Sequence, residues 1–201
     1  RDKLVTGVQT CALPILIECL AGLRPAAAGT VEIAGKRPAH ATPRAHRAAG
    51  LAHVPGDRLK RGLVPEMTLA ENLALGRHLD PALGPGPLLS PAALATEARA
   101  KLAEYDVRPA EPMLRAGLLS GGNQQKLIAA LELSRGAPAL IAANPTRGVD
   151  LGAVDFLHRR LLDQRDRGAG VLLVSSELSE ILALADRILV MHGGRITLET
   201  R

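Results

Sequence analysis

The chain has 201 residues, 47% of them hydrophobic and 22% charged, with a formal net charge of +5; this balance supports a packed globular core and excludes a disordered or collagen-like chain. Aromatic residues make up only 1% and the basic residues are scattered, so the polybasic stripe and stacking surface of a nucleic-acid binder are lacking and no nucleic-acid partner is expected. Cys11 and Cys19 have no second pair or histidine at ligand spacing, which argues against a zinc site or a disulfide framework, and no apolar run reaches the roughly 18 residues of a spanning helix.

The first residues imitate a signal peptide, with Arg1 and Lys3 ahead of an apolar patch, but Gln9, Thr10 and Glu18 interrupt it. Arg1 in place of an initiating Met sets the expectation of a piece cut from a longer reading frame. Residues 5–15 read like the in-frame translation of a short-read sequencing adapter, so 1–15 are set apart as a non-native segment and native sequence is expected from Leu16. The competing reading is a genuine strand over 3–8, on β-propensity.

Residues 16–23 have helical spacing, and 29–33 alternate like a short strand before the turn at Ala34-Gly35. A short helix is expected over 44–49 and a buried strand over 51–54, followed by the loop Pro55-Gly56-Asp57-Arg58. Helices over 67–77 and 92–105 flank the Pro- and Gly-rich stretch 81–91, which makes this third of the chain a helical insertion. From Ser120 the pattern alternates: helix, strand at 139–143, helix at 152–165, strand at 171–175, helix, strand at 187–191. Such alternation implies a largely parallel sheet. Gly193-Gly194 between two apolar strands reads as a hairpin.

Ser120-Gly121-Gly122 stands where a helix begins. Two glycines there let backbone N–H groups approach an anion that the helix dipole already favours, and the Ser120 hydroxyl adds a donor. By itself a Ser-Gly-Gly before a helix is more often a simple N-cap. Its context is the apolar strand that runs into Pro145-Thr146-Arg147-Gly148-Val149-Asp150 and the later strand that ends at Ser175-Ser176-Glu177.

In this order and spacing the motifs resemble the ATP-binding-cassette (ABC) ATPases: Leu119-Ser120-Gly121-Gly122-Asn123-Gln124-Gln125-Lys126 is similar to the signature motif, and Gly148-Val149-Asp150 to the D-loop after Walker B. Asn123 to Lys126, Pro145 to Gly148 and Ser175 to Leu178 look like the carboxy-terminal cassette of duplicated ATPases serving simple-sugar and nucleoside importers. The resemblance implies an α/β fold of the P-loop NTPase type, with a largely parallel sheet flanked by helices, a helical subdomain and a small β hairpin, truncated before the P-loop. It implies one cassette over 16–201, divided into a first core part (16–62), a helical subdomain (63–118), and the signature helix with the second core part (119–201).

The resemblance also assigns roles. Ser120, Gly121, Gly122, Asn123 and Gln124 would contact in trans an ATP held by a second cassette, with Gly148, Val149 and Asp150 coupling the two sites. The Walker B aspartate aligns with Ala143, which has nothing to offer a cation. The expected general base aligns with Asn144, which has no useful basicity, the switch histidine with Ser176, and the Q-loop side chain with Gly56. No catalytic residue and no metal site is then intact in this half, and Mg2+ is expected to be held mainly by the partner cassette. The phosphate loop should lie just before Leu16, and its missing strand would leave a gap inside the sheet.

Further partners implied are membrane permease subunits and, indirectly, a periplasmic or lipoprotein solute-binding protein, at the cytoplasmic face of the membrane with the cassette peripheral. Two rival readings are a nonfunctional or misassembled remnant, and a non-transport ABC ATPase of DNA repair or translation; the latter lacks the expected coiled-coil arms and basic tail.

Overall fold

Residues 4–8, 12–77, 80–85 and 88–200 are described by the computed structural model, which divides into two units. The first comprises residues 1–56, 135–145 and 158–201. Its strands are β1 (Leu4–Val8), β2 (Leu51–Val54), β3 (Ala139–Ala143), β4 (Gly170–Val174), β5 (Arg187–His192) and β6 (Arg195–Thr200), in the order β2-β3-β4-β1-β5-β6. All pairings are parallel except β5 with β6. Near-continuous apolar runs such as Val171-Leu172-Leu173-Val174 suit a parallel strand between neighbours. The reversal into β6 takes Gly193 and Gly194 at φ 56 and 79, the paired left-handed turn that a twisted hairpin prefers. The α/β sheet and closing hairpin read from the sequence are thereby borne out.

The interior position expected to stand empty is filled. Leu4–Val8 lies between β4 and β5 and pairs in parallel with both, Thr6 opposite Leu173 on one side and Ile188 on the other. The β-propensity of this segment is expressed over residues 4–8, and the strand supplies ladder partners to both neighbours that an interior gap would orphan. Helix α1 (Ala12–Leu20) starts earlier than the expected residue 16, since Leu13 and Ile17, one turn apart, both enter the core. Pro14 is tolerated in the first turn, where an N–H has no helical partner. Residues 9–11, part of the segment read as foreign and of the expected phosphate-loop position, lie outside the described residues.

Gly22 stops α1 at φ +72, and a Cβ there would meet the Thr42 carbonyl oxygen at 2.6 Å. Helix α2 (Pro43–Ala48) is capped by Thr42, and its His46 Nδ1 lies 2.8 Å from the Leu20 carbonyl oxygen. The strand expected over 29–33 is reduced to the Ile33–Lys36 bridge around Ala34-Gly35; one reciprocal pair anchors the turn, with Ile33 buried in the core beside Leu51, Ile141 and Val174.

The second unit comprises residues 57–134 and 146–157. Its helices are α3 (Leu69–Ala74), α4 (Pro91–Glu104) and α5 (Gly121–Leu133), packed pairwise around Leu69, Leu73, Leu102, Leu127 and Ile128. The expected helix over 67–77 shortens because Thr68 caps it: the Thr68 hydroxyl accepts from Glu71 N, and the Glu71 carboxylate accepts from Thr68 N at 2.7 Å. Asn72, fully buried, accepts from Val64 N and donates to the carbonyls of Val64, Met67 and Thr68, tying the incoming loop to α3. Helix α6 (Leu151–Asp166) begins in the second unit and ends in the first, and α7 (Leu178–Leu184) belongs to the first. No helix among the described residues is long and apolar enough to cross a membrane.

The backbone N–H and hydroxyl of Thr68 hold the Glu71 carboxyl below the ordinary glutamate range. A depressed folded pKa means the capping-box contribution is complete above the unfolded glutamate pKa and is lost as pH falls through the folded one. Carboxyl-carbon NMR titration is expected to show Glu71 titrating below its ordinary value, and Thr68→Ala to return it upward.

Candidate functional site

The sequence-selected residues fall into two groups, one in each unit. In the second unit, Ser120 is the N-cap of α5 with extended backbone (φ −62, ψ 157), and its hydroxyl oxygen accepts from the Asn123 backbone N–H. Short polar side chains are favoured here because the first turn of a helix leaves N–H groups without partners. Ser120 is exposed at the helix start while Leu119 beside it is buried, an anchor that fixes the cap.

The two glycines are close-approach positions. A Cβ on Gly121 would stand 3.0 Å from Arg58 Nη2 and 3.1 Å from the Gly148 carbonyl oxygen; one on Gly122 would stand 2.6 Å from Asp150 Oδ2. The D-loop residues thus lie against the first turn of α5. Gly148 supports that path with φ +67, half-buried Val149 follows, and Asp150 Oδ1 accepts from Ala153 N at 2.9 Å in the first turn of α6.

Arg58 is a residue that sequence reasoning passed over. Its Nη1 donates to the Arg147 carbonyl oxygen at 3.0 Å, while its Nη2 occupies the space a Cβ on Gly121 would need. The positions are 89 apart in sequence, and no spacing rule links them. Asn123 and Gln124, grouped together in the sequence, part company: Asn123 reaches back to the Ser120 hydroxyl at 3.0 Å, whereas Gln124 is 7% exposed and donates inward to the Ala116 carbonyl oxygen.

In the first unit, Gly56, Ala143, Asn144 and Ser176 converge. A Cβ on Gly56 would lie 3.3 Å from the Ala143 carbonyl oxygen and 3.7 Å from both Ala143 Cβ and Asn144 Nδ2. Asn144 takes φ 43, a conformation Asn tolerates better than most side chains. Its Oδ1 accepts from both the backbone N–H and the hydroxyl of Ser176, at 3.0 and 3.2 Å. Its own N–H donates to the Val174 carbonyl oxygen, and Ser175 Oγ accepts from Glu177 N. The donor set at the end of β3 is therefore a methyl, an amide and a hydroxyl, which does not fit a magnesium ion that seeks carboxylate oxygens. None of Gly56, Ala143, Asn144 and Ser176 has the basicity to take a proton at neutral pH.

A family model for ABC transporters matches residues 15–147, and the chain belongs to this family. Among curated proteins it is similar to a guanosine import ATP-binding protein of Bacillus subtilis, 42% identical over 192 residues, spanning 96% of this chain and 38% of that protein. It is also similar to a nucleoside import ATP-binding protein of Lactococcus lactis subsp. cremoris, 40% identical over 96% of this chain and 38% of that protein, and to a glucose import ATP-binding protein of Haloferax volcanii, 39% identical over 98% and 36%. The chain thus spans well under half the length of these relatives.

Two solved structures share the fold. One, an ATP-binding subunit of an ABC transporter, has a TM-score of 0.77 at 25% identity, covering 98% of this chain and 78% of that one. The other, a dimeric bacterial ABC transporter cassette, also has a TM-score of 0.77, at 18% identity, with coverage of 100% and 85%. The ABC resemblance read from the motifs is borne out.

Asn144→Ala removes both bonds to Ser176 and leaves a β-carbon at positive φ; the expected cost is about 1–3 kcal/mol, read as a lower urea midpoint at unchanged slope. Asn144→Gly, which relieves the backbone strain but not the lost bonds, should lose less.

Proposed function

We propose that this chain is the ATP-binding cassette of an importer for nucleosides or simple sugars and forms the second half of a two-cassette protein. Ser120, Gly121 and Gly122 then serve an ATP held by the other cassette. The observation that carries the reading is the contrast between the two groups: the α5 start keeps every donor and close-approach glycine, while the β3 end holds Ala143, Asn144 and Ser176 where hydrolysis needs acidic and basic side chains.

The Ser120 hydroxyl and the N–H groups opening α5 donate to γ-phosphate oxygens as negative charge gathers there, aided by the positive end of the helix dipole. Gly121 and Gly122, with no side chains of their own, let the Arg58 guanidinium and the Asp150 carboxylate lie close against this turn. Arg58, through the Arg147 carbonyl, and Asp150, through the α6 cap, hold the D-loop against this surface. Magnesium supplies charge neutralisation at the phosphates when bound, and its ligands belong to the partner cassette. The Gly56, Ala143, Asn144 and Ser176 group orders its loops without providing a base. Closure of the paired cassettes would drive permease subunits at the cytoplasmic face of the membrane, supplied by a solute-binding protein. The guanosine and nucleoside import relatives support a nucleoside as cargo.

Ser120→Arg in the complete two-cassette protein is expected to lower ATPase rate and solute uptake by about 100-fold, the scale of losing one preorganised anion donor and blocking its neighbours. Unchanged transport would overturn the reading in favour of a remnant.

A further inference from the structure

We infer that Asn123 is a positioning residue that commits the Ser120 hydroxyl to donate outward, and that it acts through Ser120 without touching the nucleotide. This inference rests on the reading of Ser120 as a phosphate contact. A hydroxyl has one proton to donate and two lone pairs to accept with. Both acceptor directions of Ser120 Oγ are taken by Asn123, by its backbone N–H at 3.5 Å and by its side-chain Nδ2 at 3.0 Å. The Ser120 proton has no place in that arrangement and is left for an acceptor in front of the helix.

The orientation of the Asn123 amide is determined by chemistry. Its Oδ1 lies 2.8 Å from the backbone N of Arg108, a donor that an NH2 group could not face, so Nδ2 must turn toward Ser120. The Arg108 loop is itself held down on α5 one turn further along. Lys126 Nζ donates to the Asp106 carboxylate at 2.8 Å and to its carbonyl at 3.1 Å, and Lys126 with Arg108 keeps the Asp106 carboxyl below its ordinary range. The result is a chain of donors in one direction, Arg108 N–H to Asn123 Oδ1, Asn123 Nδ2–H to Ser120 Oγ, and Ser120 O–H to a phosphate oxygen. Each bond polarises the next, which strengthens the final donor.

A structural role and a relay role part at Asn123→Asp. Aspartate keeps an oxygen to accept from Arg108 N–H and suits the first turn of a helix, but its other oxygen accepts from the Ser120 hydroxyl and turns the proton away from the phosphate. In the complete two-cassette protein, Asn123→Asp is expected to keep the thermal midpoint and lower the ATPase kcat about tenfold. Asn123→Ala should lower kcat by a similar factor in the wild-type background and by less than about twofold once Ser120→Ala is present. Unchanged kcat in Asn123→Asp, or multiplicative losses for Asn123→Ala and Ser120→Ala, overturns the relay while leaving the Ser120 contact standing. A Ser120→Ala protein with full activity overturns the site reading and the relay with it.

Discussion

The contact on which the second unit depends is the approach of the Asp150 carboxylate to a position with no side chain. A Cβ on Gly122 would sit 2.6 Å from Asp150 Oδ2, closer than a methyl and an oxygen can come. Because that space is free, Asp150 lies against the first turn of α5 and still caps α6 through Ala153 N. Gly121 repeats the arrangement one residue earlier, where the Gly148 carbonyl and Arg58 guanidinium come in. Two absent side chains thus set the distances between α5, the D-loop and the start of α6. Ser120 at the head of α5 stays exposed while Gly122 behind it is buried.

The electrostatic character of that turn follows. Ser120 is left with a proton to give, and the helix start adds unpaired N–H groups and partial positive charge. In the first-unit group, Asn144 Oδ1 takes two donors from Ser176. The pattern is ordered, with Asn144 at a backbone angle that suits its side chain.

Much of this was legible in the residues. The apolar runs of β3 and β4, the Gly193-Gly194 reversal and the Ser-Gly-Gly helix start each carry their meaning within a few positions, because side-chain periodicity, turn angles and caps are local properties. The same locality explains where the reading strayed. The alternation over 29–33 signalled a strand, yet only the Ile33–Lys36 bridge formed, since a strand needs a neighbour that alternation does not supply. The sheet interior was expected to lack a strand, yet residues 4–8 form β1 between β4 and β5, a long-range pairing that local spacing does not reveal.

By itself, the sequence determined the α5 start at Ser120, the parallel α/β pattern and the glycines that permit close approach, for these depend on neighbours within a turn or a strand. Tertiary structure decided which surfaces those glycines admit: Asp150 at Gly122, Arg58 at Gly121 and Arg147, and Ser176 at Asn144, 32 positions away. It also separated Asn123, turned to Ser120, from Gln124, turned to the core. Successive residues on a helix point about 100° apart, and only the packed environment determines which direction is water and which is core.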